Sequence, residues 1–104
     1  METNFRTLKE SIEFSRKCLK VDLAYSAKDQ LHRAAVSVSL NLSEGAGRFT
    51  RKEKRRFYRI AYGSIRECRT LLAIYFGTEV ELFVKADKVA GMVWRLLQSV
   101  EVNE

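Results

Sequence analysis

The residues best equipped for chemistry in this chain are cationic. Positions 48 to 59 read RFTRKEKRRFYR, with seven basic side chains against the single acid Glu53, and Arg66 and Arg69 continue the pattern downstream. At about 100° of rotation per residue on a helix, Arg51, Arg55, Arg59, Arg66 and Arg69 share one side. Lys52 and Arg56 broaden that side, Tyr62 falls inside it and Arg48 stands just ahead of it. The chemistry on offer is recognition of phosphate and of bases. A guanidinium grips phosphate oxygens with two donors at once and stacks on planar rings, which lysine does not. RNA or single-stranded DNA suits that inventory. Between residues 48 and 66 only Glu53 offers an intrahelical counter-charge, so the stripe repels itself by a few tenths of a kcal/mol per like-charge i,i+4 pair. The whole chain carries 19 Lys and Arg against 13 Asp and Glu, net +6, and outside the 48–59 segment acids and bases balance. A neutral body with one concentrated cationic segment is the electrostatic pattern of a protein that meets a polyanion. The competing readings are a solvated helix face whose stems cover apolar neighbours, and attraction to an acidic protein or anionic lipid.

Other chemistries find little material. His32 is the single histidine, and Cys18 and Cys68 lie 50 residues apart, which is neither a zinc pattern nor a disulfide framework. Both thiols read as small core residues. No phosphate-binding glycine loop, zinc-protease helix or nucleophile elbow occurs. Glu44 and Glu67 form a conceivable carboxylate pair, but a structural hydrogen-bonding role fits them better. The expectation is a non-enzymatic protein with no catalytic residue, no metal and no cofactor.

These side chains need elements to carry them. A chain of 104 residues, 46% apolar, with five glycines and no proline, predicts one helical domain over 1–104. The most apolar stretch, Leu82 to Val100, is broken by Lys85, Asp87, Lys88 and Arg95, so no membrane span is predicted. The opening Met1-Glu2-Thr3-Asn4 lacks the layout of a signal peptide, and a cytoplasmic location is expected. Apolar spacing predicts four helices near 5–20, 26–45, 50–76 and 80–101. Their stripes are Phe5, Leu8, Ile12, Ser15 and Leu19; then Leu31, Ala35, Val38 and Leu42. The third is Phe57, Ala61, Ser64, Cys68, Leu71 and Tyr75, widened by Ile60, Ile65 and Leu72. The fourth is Leu82, Ala86, Val89, Val93, Leu96 and Val100. Ser26 is the candidate cap of the second helix, and Thr50 with Glu53 the capping box of the third. Gly77 is the stop of the third. Residues 36–42 alternate like a strand, but no partner strand exists to satisfy the backbone, so helix is preferred. Trp94 lies off the fourth seam, at a bundle edge or a subunit contact.

A second constellation is polar. Ser37, Asn41 and Glu44 share a face of the second helix, and Ser64 and Glu67, beside Gly63, answer on the third. With Gly45 they read as a hydrogen-bonded network that fixes helix register, with Gly63 allowing close approach. A ligand at the Gly45-Ala46-Gly47 turn is the alternative.

The segment Ala34-Ala35-Val36-Ser37-Val38-Ser39-Leu40-Asn41-Leu42-Ser43-Glu44-Gly45-Ala46-Gly47-Arg48, with Lys52-Glu53, Phe57 and Ala61-Tyr62-Gly63-Ser64-Ile65-Arg66-Glu67, resembles a known family. That family is the four-helix-bundle proteins encoded by intervening sequences in bacterial 23S ribosomal RNA genes. Its core motif, Ala-Ala-x-Ser-(Ile/Val)-Pro-x-Asn-Ile-Ala-Glu-Gly, is matched except that Ser39 replaces proline and Leu42-Ser43 replaces Ile-Ala. Losing the proline predicts a straighter second helix. The resemblance implies an all-α, up-down-up-down antiparallel four-helix bundle that assembles as a homopentamer. It also implies kinship with the accessory protein of diversity-generating retroelements, with a reverse transcriptase or a ribosomal component as partner. The expected function is nucleic-acid binding through Arg48, Arg51, Lys52, Arg55, Arg56, Arg59, Tyr62, Arg66 and Arg69. The rival is a protein-interaction scaffold that does not touch nucleic acid.

Overall fold

Helical stripes on a chain this short can be hidden only against one another. The computed structural model, which describes residues 3–101, consists of α1 (Thr3–Cys18), α2 (Tyr25–Ala46), α3 (Arg51–Phe76) and α4 (Glu81–Ser99). Each helix packs on its neighbour in sequence and α1 closes against α4, so the described residues form an all-α four-cornered bundle of 41 × 26 × 23 Å without a strand. Cross-contacts show that neighbours are antiparallel: Ser11 meets Ser39 while Ser15 meets Ala35, and Tyr62 meets Trp94 while Arg69 meets Asp87. Met1, Glu2 and residues 102–104, which the single-domain expectation and the reading of the chain start include, lie outside the described residues.

Local signals explain most boundaries. The Thr50 hydroxyl accepts the Glu53 amide at 3.1 Å, satisfying a donor that the first turn of α3 would otherwise leave unpaired. Gly77 ends α3 with φ +88°, a left-handed backbone that only glycine adopts without strain. Ser26 does not cap α2. The helix starts one residue earlier, with Ala24 at the cap position and no side-chain bond. Helix α4 stops at Ser99 rather than 101, where the Val100 and Glu101 amides bond the Leu97 and Gln98 carbonyls in a tightened last turn. Helix α2 runs unbroken through Ser39, and the alternating 36–42 segment lies wholly inside it.

The core follows the predicted stripes on α2 and α4 and departs from them on α1 and α3. Leu31, Ala35, Val38 and Leu42 are buried, as are Ala86, Val89, Val93 and Leu96. On α3 the buried line is Tyr58, Ala61, Ile65, Cys68 and Leu72: Ala61 and Cys68 belong to the predicted seam, Ile65 and Leu72 to the residues expected to widen it, and Tyr58 takes the place expected of Phe57. Tyr75 consequently emerges on the surface. Tyr58 takes the innermost place because its ring lies against Gly45 of α2, where a Cβ would collide with Cε1 and Cδ1. Gly63, by contrast, faces open space, so the close approach between α2 and α3 occurs at Gly45 instead.

Helix α1 meets the expectation only at Leu8, which packs against the core, and at Ser15. Thr7, Ser11, Phe14, Ser15 and Cys18 are buried, while Phe5, Ile12 and Leu19 are exposed. The serine hydroxyls tolerate burial there because both find an acceptor. Ser11 donates to the Leu8 carbonyl at 2.7 Å and Ser15 to the Ala35 carbonyl at 2.8 Å, and both meet the Ser39 hydroxyl, at 2.9 and 3.4 Å. The position at which the resembled motif carries proline thus supplies a hydroxyl to the α1–α2 seam.

Candidate nucleic-acid interface

Rotation of α3 about its buried line decides what each basic residue does. Two of them close helix ends. Lys54 Nζ bonds the Gly45 and Ala46 carbonyls at 3.3 and 3.1 Å, placing a cation at the negative end of α2. Arg51 donates to the Ser99 carbonyl at 2.9 Å and does the same for α4. Two more meet carboxylates: Arg69 pairs with Asp87 at 2.8 Å across α3 and α4, and Arg48 pairs with Glu44 at 2.9 Å. Arg48 also lies 4.7 Å from the centroid of the Phe57 ring, which Arg56 approaches at 5.6 Å.

Lys52, Arg56, Arg59 and Arg66 are left facing outward. All four are exposed, and none forms a hydrogen bond or ion pair with another described residue. Arg55 is half-buried beside them. Lys52, Arg59 and Arg66 succeed one another at seven-residue steps, about 10 Å apart along the axis. Tyr62 sits at the border of this surface with α4, half-buried, under the Arg66 guanidinium at 5.8 Å and 5.3 Å from the Trp94 ring. The predicted cationic side is therefore divided. Arg51 and Arg69 belong to the α3–α4 joint, Arg48 to the α2–α3 turn, and the outward set forms no ion pair with another described residue.

The polar constellation also divides. The Ser37 and Ser64 hydroxyls meet at 2.9 Å between α2 and α3, and Asn41 Nδ2 donates to the Ser37 carbonyl and hydroxyl at 2.9 and 3.1 Å. Those three residues form a part-buried cluster at the helix crossing. Glu44 and Glu67 stand apart on the surface, Glu44 with Arg48 and Glu67 with Arg33 at 3.9 Å. They do not form a carboxylate pair. Both thiols are buried, and burial pushes the Cys18 thiol up to about 12 and the Cys68 thiol higher still, so neither is a nucleophile near neutral pH. Burial likewise raises the Tyr58 phenol, opposed by a hydrogen bond with the Asn4 side chain. Among the described residues no group of three His, Cys, Asp or Glu side chains could hold a metal ion, and no helix is long and apolar enough to cross a membrane.

A cleft of about 400 Å³ separates α1 from α4, lined by Arg6, Thr7, Glu10, Lys88, Met92 and Arg95. Its charges interleave, with Glu10 at 3.6 Å from Lys85 and 3.5 Å from Lys88. Lys52, Arg56, Arg59 and Arg66 on α3 form no such ion pairs among the described residues.

The model of the 23S rRNA-intervening sequence protein family matches residues 3–99, a span that takes in all four helices. The chain belongs to that family. Comparison with curated proteins and with solved structures returned no match. Within the family frame, Ser37, Asn41 and Gly45 of the motif are packing residues here, and the outward cations lie downstream on α3. The helix-capping role of Lys54 and the serine seam of α1 went unread in the sequence. Neither has a local signal, since Lys54 reaches back across a hairpin and the serines become partners only when α1 and α2 are adjacent.

Proposed function

We propose that this bundle is a non-enzymatic, self-associating protein of the cytoplasm that binds nucleic acid, RNA or single-stranded DNA, through the outer face of α3. The observation that carries the reading is the contrast between the basic residues. Arg48, Arg51, Lys54 and Arg69 are engaged by carboxylates or carbonyls, whereas Lys52, Arg56, Arg59 and Arg66 are held outward with none. Clustered like charges cost stability unless a polyanion meets them. The 23S rRNA intervening-sequence family supports RNA as that polyanion. Arg51, Arg55, Arg69 and Arg48 flank the outward set and extend its field.

Self-association is supported by the opposite corner of the bundle. Phe5, Ile12 and Leu19 of α1 and Val36 and Leu40 of α2 are exposed on either side of the seam where Ser11 meets Ser39. Contiguous apolar surface of this kind marks a protein contact. A homopentamer joined through it would present five α3 faces together and bind by avidity. A reverse transcriptase or a ribosomal component is the further partner this reading allows.

Titration of a labelled single-stranded RNA of about 20 nucleotides at 50 and 200 mM salt tests the reading. Affinity is expected to fall at least 10-fold between the two salts, and the Arg59→Glu, Arg66→Glu double variant is expected to lose binding while keeping its helix content. Binding that ignores salt, or that survives the double variant, overturns it and favours the scaffold alternative.

A further inference from the structure

Beside the outward cations lies a side chain that the core does not need. Trp94 is 47% exposed, although α4 completes its buried line with Ala86, Val89, Ala90, Val93 and Leu96. It stands about 100° round from Val93, on the α3 side of the helix. There its ring meets Tyr62 with centroids 5.3 Å apart and planes inclined at 46°. The Arg66 guanidinium covers the same tyrosine. Two cross-links hold this edge in register, the Arg69–Asp87 pair on one side of the rings and the Arg51 bond to the Ser99 carbonyl on the other. The aromatic pair is thus fixed in place, half open to solvent and bordered by Arg59 and Arg66.

We propose that Tyr62 and Trp94 form a stacking platform for unpaired bases, with Arg59 and Arg66 taking the adjoining phosphates, so that the bundle prefers single-stranded to duplex nucleic acid. The proposal rests on the nucleic-acid reading above and deepens it. In a duplex the faces of the bases are already covered by their neighbours, and only splayed or single-stranded bases can lie on an aromatic side chain. Such stacking tolerates any sequence because every base has a π-face. The setting also separates this edge from a protein contact. The exposed aliphatic residues Ile12, Leu19, Val36 and Leu40 lie at the α1–α2 corner, across the bundle, and Ile60, Ile74 and Val84 are exposed elsewhere, whereas Trp94 meets α3 at Tyr62, over which the Arg66 guanidinium lies.

Trp94 is the only tryptophan of the chain, so its fluorescence reports this edge directly. The probes are oligo(U) of 20 nucleotides and an RNA duplex matched in phosphate count. Oligo(U) is expected to quench Trp94 saturably and to bind at least about 5-fold more tightly than the duplex. Trp94→Ala and Tyr62→Ala should each weaken oligo(U) binding about 5- to 100-fold without changing its salt slope, and Trp94→Phe should restore most of the affinity. Arg66→Gln, in contrast, should reduce the slope. The platform is wrong if oligo(U) binds without quenching, if the duplex binds as well, or if a folded Trp94→Ala protein keeps full affinity. A Trp94→Ala protein that loses solution mass but not affinity makes the ring a subunit contact and also overturns it. If neither probe binds the wild-type protein at 50 mM salt, the broader nucleic-acid reading falls and the platform with it.

Discussion

Single atoms decide several features of this bundle, and Gly45 is the clearest. Its missing Cβ makes room for the Tyr58 ring, which is almost fully buried and cannot swing away. Gly45→Ala is therefore expected to cost about 1–3 kcal/mol through overpacking. Gly63→Ala, at a position with nothing within 4 Å, should stabilise by about 0.5–1 kcal/mol because alanine favours the helix. Thermal denaturation of the two variants checks the pair, and equal shifts would contradict the packing described. The thiols give a second prediction at this scale. Cys18 and Cys68 hold their protons more tightly in the folded chain than at their ordinary value of 9.0. The stability they contribute is present below that value and drains away as pH climbs from 9 towards 12. By pH 10 the loss should reach about 1 kcal/mol per thiol. Urea midpoints at pH 7 and pH 10 measure it, with a Cys18→Ala, Cys68→Ala protein expected to show a smaller drop between them.

Helices are held at their ends as much as along their faces. The Thr50 hydroxyl supports the start of α3, and Thr50→Ala should cost about 1 kcal/mol. Lys54, one turn later, serves a different helix by closing the carbonyls of α2, and Lys54→Met should cost about 0.5–1 kcal/mol. Chemical denaturation of both variants tests this, and a Lys54→Met protein as stable as wild type would show the contact to be incidental. The span and cap of α3 are as its sequence predicts, but the buried side is centred on Tyr58, Ile65 and Leu72 and turned away from Phe57, Ser64, Leu71 and Tyr75. Two lines of apolar residues at three- and four-residue steps run side by side there, sharing Ala61 and Cys68, and periodicity does not choose between them. Tyr58 settles the choice because only its line meets Gly45. For α1, Phe5, Ile12 and Leu19 of the predicted line are exposed while Leu8 and Ser15 pack inward, since serines at the α1–α2 seam satisfy one another and their neighbours' carbonyls.

At the scale of the molecule, two surfaces lie on different corners. The α1–α2 corner is aliphatic, with Leu40 61% exposed, and α3 carries the exposed cations, with Ile60 and Ile74 also exposed on that helix. If the first joins copies, the second is free to meet a ligand. Leu40→Lys with Ile12→Lys is expected to reduce the sedimenting species from a multiple of the 12.0 kDa chain to the single chain without loss of helix content. A wild-type protein that sediments as a monomer would remove the pentamer, and a pair of lysines without effect would move the contact elsewhere.

What the sequence settled by itself was local. Helix count, the core lines of α2 and α4, the Thr50 cap, the Gly77 stop and the kinship carried by residues 34–48 and 61–67 depend on near neighbours along the chain, and spacing records those. Which arginines are available could not be settled that way. Arg51, Lys54 and Arg69 look identical in sequence to Arg59 and Arg66, and they differ only in what other helices bring to them: a carbonyl at the end of α4, the open end of α2, the carboxylate of Asp87. Tertiary structure made that division, because a charge is satisfied by groups close in space and those groups lie 8 to 48 residues away along the chain.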